Sequence, residues 1–438
     1  MNADQLLAAL DQAWPDDKSS GNWSGKSRRN ALAEFQRLGY PSRKLEAWRY
    51  TDLRRLEGLA IAPASAVDSA PPPMDAVEAL LDQLPVVENR QLIVIVDGAY
   101  AAGLSRPSDY ILHQLSAETS SAVAGPQANG KPERALVALN QAFAAPLAIT
   151  LASDAAAIDK DIAIAFVTTR ASHSSQVRFS LHVQDAVSAR VTQFFLTSGE
   201  KNAGWTNFVS DIRLAEGTSL ELIRVQDLNA EHSMTSLLEP VISENASLTI
   251  GNVDLGGHLV RTDIDARLAA KGANANVFGL TLAGKNCHID TQICADHVAP
   301  ESASQQEFRS IVDGGGRAVF NSKVIVRKDA QKIDAHQRSD NLILAPDAEV
   351  DTKPELEIYA DDVRCSHGAT TGELDEDALF YLQSRGVPID TAKALLTFGF
   401  ARTLLSRISE DATRDFVSTK LGRLLGESIP DDPQFALK

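Results

Sequence analysis

The sequence predicts a mainly β protein in which a β-helix lies between helical regions at the two ends of the chain. From about Asp161 the spacing of apolar residues changes from a helical period to a period of two, which is typical of strands. Small turns recur through this region, mostly at intervals of roughly 30 residues with one longer interval, and this spacing favours a solenoid. A β-sandwich is the structural alternative, because it also uses many short strands.

The period of two is clearest in three runs, over residues 162–167, 176–183 and 219–223. Each alternating run follows a short turn built from small or polar residues. The predicted turns are Asp185-Ala186, Gly217-Thr218, Asn245-Ala246, Gly272-Ala273, Gly316-Arg317 and Asp347-Ala348.

Two helices are predicted at the start of the chain. The first ends at Pro15, and its apolar face is formed by Leu6, Leu7, Leu10 and Trp14. The second covers residues 27–40, with Gly39 where a C-cap belongs. Both helices are interpreted as packing elements.

The rest of the N-terminal region contains one large aromatic residue among charges, Trp48, which is interpreted as packing a helix onto a neighbour rather than stacking on a ligand. The stretch 60–74 is rich in Ala, Pro and Ser and is interpreted as a linker.

A buried strand is predicted over 92–96, and a helix over 135–145. Residues 1–150 therefore form a mainly helical region, followed by the β-helix core over 151–372.

A helical C-terminal domain is predicted over residues 373–438, with helices at 376–385, 391–404 and 410–425. Asp375 is expected to cap the first of them, and Gly386 to end it. This domain is rich in apolar residues and could offer a partner surface as well as a core: Leu395, Leu396, Phe398, Phe400, Leu404 and Leu405.

The bulk composition disfavours several classes of protein. The formal charge of −16 repels nucleic acid, and no apolar run reaches the roughly 18 residues that a membrane span requires. The first residues lack a basic leader, and three cysteines in 438 residues argue for a reducing compartment. We therefore expect a cytoplasmic protein without nucleic-acid or membrane partners.

Several catalytic motifs are missing from the sequence. It contains no G-x-x-x-x-G-K-[ST] phosphate loop, no G-x-S-x-G elbow and no H-E-x-x-H zinc motif. The triple glycine at Gly314, Gly315 and Gly316 is interpreted as a turn of the solenoid, with a phosphate cradle as the less favoured alternative.

Cys287, His288, Cys294 and His297 could supply four zinc ligands, but their spacing is poor. Adjacent residues on a strand point to opposite faces, so Cys287 and His288 cannot easily meet one ion. Ordinary strand packing is the favoured interpretation of this cluster.

Cys365 and His367 differ from that cluster, because a separation of two on a strand places both side chains on one face. A thiolate and an imidazole together suit iron or zinc. Two ligands cannot complete a tetrahedral site, so a metal role needs further ligands from elsewhere in the chain or from another subunit. Spacing alone favours a core cysteine with a hydrogen-bonded histidine.

The segment around these two residues resembles the SufB/SufD family of iron-sulfur cluster assembly proteins. The resemblance is carried by AEVDTKPELEIY at 348–359, ADDVRCSHGAT at 360–370 and LFYLQSRG at 379–386. The CSHGAT form, the chain length and LEAWRYT at 45–51 are most similar to the SufD branch. The resemblance extends with lower specificity over most of the chain.

This resemblance implies a right-handed parallel β-helix and a scaffold role, without enzymatic activity, beside a SufB-like subunit and a SufC-like ATPase. It implies that His367, with Cys365 beside it, helps to hold a transient iron-sulfur cluster at the interface with the SufB-like subunit, which supplies a cysteine. It further implies that the ATPase docks near Phe380, Tyr381, Leu382 and Arg385, and that this chain binds no nucleotide.

Two other hypotheses remain open from the sequence. A β-helical enzyme acting on a polysaccharide would need converging carboxylates, for which Asp361 and Asp362 are a weak candidate. A homodimer that stores or passes iron would use the same β-helix edge to pair with itself.

Overall fold

The computed structural model describes residues 3–14, 23–62, 74–115, 125–155, 160–184, 186–199 and 202–426. Its core is a parallel β-solenoid of about eight turns with helices at both ends, which confirms the predicted fold class. The strands are β1 Ala60–Ala62, β2 Gln91–Val96, β3 Ala99–Tyr100, β4 Ala145–Leu151, β5 Asp161–Thr168, β6 His173–Val183, β7 Ser188–Thr197, β8 Trp205–Leu214, β9 Ser219–Asp227, β10 Ser233–Ile242, β11 Ser247–Asp254, β12 Leu259–Leu268, β13 Asn274–Ala283, β14 His288–His297, β15 Ala303–Val312, β16 Arg317–Val326, β17 Ile333–Ile343, β18 Glu349–Ile358 and β19 Val363–Gly372.

Each turn of the solenoid contributes one strand to each of two sheets. The nine-stranded sheet runs β1-β6-β8-β10-β12-β14-β16-β18, with β4 also paired to β6. The ten-stranded sheet runs β19-β17-β15-β13-β11-β9-β7-β5-β2-β3. Among the described strands only β2 and β3 pair antiparallel. The β-sandwich alternative is therefore wrong, because sandwiches are built from antiparallel strands.

The corners of the solenoid explain the recurring turns. Paired positions in adjacent turns lie about 30 residues apart, as for Ser247 opposite Asn274 and Ala303 opposite Asp334. One corner places a residue with positive φ in each of several successive turns: Ala186, Gly217, Asn245, Gly272, Glu301 and Lys332. Glycine and asparagine adopt this conformation most readily, which accounts for their recurrence. Asp185, from the first predicted turn, lies outside the described residues.

The helices are α1 Ala3–Ala13, α2 Gly25–Leu38, α3 Met74–Leu81, α4 Asp109–Gln114, α5 Ala135–Phe143, α6 Glu376–Ser384, α7 Ile389–Leu405 and α8 Asp411–Leu424, with short 3₁₀ turns at Glu46–Trp48 and Pro132–Arg134. Helix α5 packs on β6 and β8 of the nine-stranded sheet, and α1 and α2 pack on α5 in a cluster that also contains Trp205, Val209 and Leu259. Helices α3, α7 and α8 cover the ten-stranded sheet. No helix in the described ranges is both long and apolar enough to cross a membrane.

The C-terminal apolar residues form a core contact, which is one of the two uses predicted for them. Leu404 and Leu405 are buried in the cluster formed with the ten-stranded sheet, and Phe398 and Phe400 pack against it. An ion pair of 2.7 Å between Arg407 and Glu307 fixes the same contact. Most of this apolar surface therefore covers the protein's own sheet.

The N-terminal region departs from the prediction at two points. Leu7 is 44% exposed, whereas Leu6 and Leu10 are buried. The predicted linker begins with strand β1, which pairs with β6, and Met74 already starts α3. Residues 63–73 and Pro15 lie outside the described residues. The division into three regions remains a prediction, although β2 and β4 join the sheets before residue 151.

Trp48 is a packing residue. Its indole Nε1 donates to the backbone oxygen of Glu133 at 3.0 Å, and the guanidinium of Arg261 lies 3.9 Å from the ring centroid. Thr51 Oγ1 donates to Asp290 Oδ2 at 2.5 Å. The LEAWRYT segment thus fastens the N-terminal region to the outer face of the nine-stranded sheet.

Two histidines are buried in the solenoid as neutral rings. His297 Nδ1 and Nε2 each lie 2.8 Å from a serine hydroxyl, those of Ser302 and Ser304. His232 Nε2 lies 3.0 Å from Thr206 Oγ1. Burial lowers the pKa of each of these histidines to about 4.

We expect acid to destabilise the fold through these histidines. Their pKa is about 6.5 in the unfolded chain, so the unfolded state binds more protons than the folded state between about pH 6.5 and 4. The free energy of unfolding therefore decreases as the pH is lowered through this range. At pH 5 the loss is about 2 kcal/mol per histidine. Asp254, whose pKa burial raises to about 6, acts in the opposite direction. Urea unfolding at pH 7.5 and pH 5 should show a smaller pH-dependent loss for His297→Gln than for the unmodified chain, whereas equal losses would contradict this assignment.

Candidate functional site

The C-terminal end of the solenoid exposes two strand edges. Strand β18 is the last strand of one sheet and pairs with β16, while β19 is the last strand of the other and pairs with β17. No strand or helix in the described part of the chain pairs with their outer edges. Each edge strand is 10 residues long. Long unpaired edges are a template for adding strands from another chain.

Cys365 and His367 lie on β19, at this open end. Their register partners on β17 are Ala335 and Gln337, which are 0% and 3% exposed. Cys365 is half-buried and packs against the interior cluster, whereas His367 is exposed. The two residues therefore share the face that points into the solenoid, and they lie in its last turn.

The electrostatics favour a neutral thiol at Cys365. Burial, with a smaller effect from the charge of Asp334, raises the pKa of this thiol above its ordinary value. The thiol therefore keeps its proton at neutral pH until a cation replaces it, because metal binding requires the thiolate.

The opposite face of β19 carries a separate polar group. His336 Nδ1 lies 2.6 Å from Ser366 Oγ, and its Nε2 lies 2.7 Å from Asp334 Oδ1. Both ring nitrogens of His336 thus have partners, whereas His367 has none among the residues that the structure describes. This group adds one side-chain contact on the outside of the sheet to the backbone pairing of β17 and β19.

The other cysteines and histidines do not converge. Cys287 is buried in the interior cluster, His288 Nε2 lies 2.9 Å from Thr51 Oγ1 on the outer face, and His297 is bound inside by serines. Burial raises the pKa of both Cys287 and Cys294 to about 12, which suppresses the thiolate form. Within the described ranges no group of three or more His, Cys, Asp or Glu residues could hold a metal ion.

The triple glycine forms the turn between β15 and β16. Gly316 N–H donates to the backbone oxygen of Asp313 at 2.8 Å, and Gly315 has a φ of 70°. This geometry agrees with the solenoid-turn interpretation, and positive φ is the reason for glycine at position 315.

Helix α6 presents an exposed aromatic surface. Phe380 and Tyr381 are 72% and 57% exposed, and the guanidinium of Arg385 lies 5.1 Å from the Tyr381 ring centroid. Leu382 is half-buried, and no residue of α6 is fully buried. Asp375 caps this helix as predicted, by accepting from the N–H groups of Asp377 and Ala378.

The sequence interpretation missed Gln306 and Gln337, which lie behind His367 in the solenoid. Gln306 pairs in register with Gln337, and Gln337 with His367. The available signal was their spacing of about 30 residues from one another and from His367, which equals one turn of the solenoid.

Comparison with known proteins identifies a family and several relatives of this chain. Residues 166–400 match the family model of the SUF system FeS cluster assembly SufBD core domain. The chain is 27% identical over 402 residues to the iron-sulfur cluster assembly protein SufD of Escherichia coli, covering 90% of this chain and 91% of that protein. It is 24% identical over 437 residues to the chloroplastic protein ABCI7 of Arabidopsis thaliana, covering 94% and 88%.

A shorter match, 34% identical over 206 residues, links 47% of the chain to 45% of a SufBD family protein of Synechocystis. The parallel solenoid and these matches define the class: the chain belongs to the SufBD family of SUF-system iron-sulfur cluster assembly proteins. Within that family it is SufD-like.

Proposed function

We propose that the chain is a non-enzymatic scaffold subunit that pairs with a SufB-like subunit through β18 and β19 and binds a SufC-like ATPase through α6. The observation that carries this proposal is the open end of the solenoid, where β18 and β19 have no neighbouring strand among the described residues and β19 carries Cys365 and His367. Edge pairing would satisfy the free backbone groups and place a partner's side chains beside these two residues. Because the three cysteines are free, as is typical of a reducing compartment, we propose that the scaffold acts in the cytoplasm.

The cargo of this interface is a transient iron-sulfur cluster. Cys365 and His367 offer one soft and one borderline ligand, the types that hold such clusters, and together they make half of a site. A cysteine from the SufB-like subunit would add a third ligand. His367 is the stronger candidate because it is exposed, while Cys365 must lose a proton that its surroundings retain.

The docking of the ATPase is proposed for the exposed aromatic surface of α6. Phe380 and Tyr381 together with Arg385 have the composition of an interface centre, where aromatic residues and arginine are enriched. The sequence has no phosphate loop of its own, and we assign nucleotide binding to the ATPase partner.

The double variant Phe380→Ala/Tyr381→Ala is expected to weaken binding of the ATPase by at least about tenfold, because exposed aromatic anchors contribute about 1 to 2 kcal/mol or more each. Binding is measured by titrating the ATPase onto the chain, alone and in complex with the SufB-like subunit. Leu424→Ala on α8, which removes another exposed apolar side chain, is the matched control. Equal affinity of the double variant and the control would contradict this docking site.

Anaerobic reconstitution tests the proposed function as a whole. The chain, the SufB-like subunit and the ATPase are mixed with iron and sulfide, and the cluster is measured by visible absorption. Co-elution of all three proteins with a cluster is expected. Self-association without the partners would favour the homodimer, and glycan cleavage by the isolated chain would favour the polysaccharide enzyme.

A further inference from the structure

Two buried glutamines lie directly behind His367 inside the solenoid. The register of the ten-stranded sheet places Gln306, Gln337 and His367 in one column of inward positions across β15, β17 and β19. Gln306 is 1% exposed and Gln337 is 3% exposed.

The amide of Gln337 has an unused acceptor. Its Oε1 has no hydrogen-bond partner in the described part of the chain, and its Nε2 makes only a long contact of 3.5 Å to the backbone oxygen of Glu355. A buried polar atom without a partner costs about 1 to 3 kcal/mol, so such an atom usually meets a donor in the working state. His367 is the next residue of the column toward the open end. Its ring makes no hydrogen bond within the described residues.

We propose that Gln337 is the positioning residue for His367. Its amide oxygen accepts the N–H of one imidazole nitrogen, and the lone pair of the other nitrogen is thereby directed to the open edge where the partner would bind. Adjacent strands lie about 4.8 Å apart, a separation that these two side chains can span. Histidines that ligate metals donate their second N–H to such an acceptor, which fixes the tautomer and the ring orientation. The inference rests on the proposed cluster role of His367 and adds the residue that prepares it.

The competing arrangement is a ladder of two amides. Gln306 Nε2 also lacks a partner, while its Oε1 accepts from Ser322 Oγ. A rotation of either side chain could let Gln306 Nε2 donate to Gln337 Oε1, as in stacked glutamine ladders. In that arrangement Gln337 has no acceptor for His367, and removal of Gln306 would disturb the column as much as removal of Gln337.

The tautomer of His367 separates these arrangements in the isolated full chain. Histidine labelled with ¹⁵N reports the protonated ring nitrogen by NMR at pH 8, without metal, and His367→Ala identifies the signal. We expect a single tautomer of His367 in the unmodified chain, in Gln337→Glu and in the control Gln306→Leu. In Gln337→Leu we expect a mixture of the two tautomers. Gln337→Met replaces the leucine variant if the latter fails to fold. An unchanged tautomer in the apolar variant, or a mixture in Gln306→Leu, would overturn the proposal.

Cluster retention gives the second readout. In the reconstituted complex, Gln337→Leu is expected to lose its cluster to a chelator about tenfold faster than the unmodified chain, and Gln306→Leu at the unmodified rate. An unchanged rate for Gln337→Leu would also overturn the proposal. If His367→Ala leaves the cluster yield intact, the proposed cluster role of His367 fails, whereas the NMR result still decides whether Gln337 fixes the ring.

Discussion

Replacing His367 by alanine is expected to lower the cluster yield of the reconstituted complex by at least about tenfold and to leave the complex assembled. The loss follows because the substitution removes one of the two ligands proposed for this chain, and even residues that only support a ligand change metal affinity 10- to 100-fold. Assembly should persist because His367 is exposed, and surface substitutions change the free energy of unfolding by about 0.5 kcal/mol or less.

His336→Ala is the matched control for this experiment. His336 is also an exposed histidine at the same end of the sheet, but it lies on β17, faces outward and is bound to Ser366 and Asp334. Its removal should leave the cluster yield within a factor of two of the unmodified complex. An unchanged yield in His367→Ala, or equal losses in both variants, would rule out His367 as a specific ligand.

Local chemistry made much of the fold predictable from the sequence. The alternation of apolar residues predicted the strands, and Gly217, Asn245 and Gly272 marked corners that require positive φ. The same alternation correctly separated Cys287 from His288, since the pleat places them on opposite sides of the chain. These predictions need only neighbours within a few residues.

Contacts between distant parts of the chain could not be predicted in this way. The spacing of Leu404 and Leu405 left open whether they form a core or a partner surface, and in the structure they cover β13 and β15 of the same chain. Leu7 has the spacing of a core residue and is exposed, because α1 packs only part of its apolar face against α2 and α5. Which apolar face is covered depends on how the chain returns over its own sheets, and no local pattern encodes that.

The candidate site was predictable only in part for the same reason. The separation of two placed Cys365 and His367 on one face, but their place in the last turn of the solenoid depends on where the repeat stops. The column behind His367 depends on register across three turns. The candidate pair Cys365 and His367 is therefore visible in the sequence, whereas the residues behind it and the open edge beside it are visible only in the structure.

The second prediction concerns the open edge of β19, where we expect the SufB-like subunit to bind. Ala369→Lys is expected to weaken binding of the SufB-like subunit by more than about a hundredfold and to change the stability of the isolated chain little. Ala369 is exposed on β19 and has the same inward parity as Cys365 and His367, so the free chain can extend the lysine into water. A partner strand added to this edge would bury the charge without a counter-ion, at a cost of about 3 kcal/mol or more. Inward-pointing charges on edge strands block strand addition in this way.

Val86→Lys is the control, because Val86 is 91% exposed in the loop between α3 and β2, away from both edges. Affinity is measured by titration of the SufB-like subunit, and hydrogen exchange of β18 and β19 shows whether their backbone amides become protected in the complex. Edge pairing requires that the two results agree: Ala369→Lys must lose both the affinity and the protection, and Val86→Lys must keep both. Unchanged affinity in Ala369→Lys would mean that the partner binds another surface, and Cys365 and His367 could then no longer be half of a shared site.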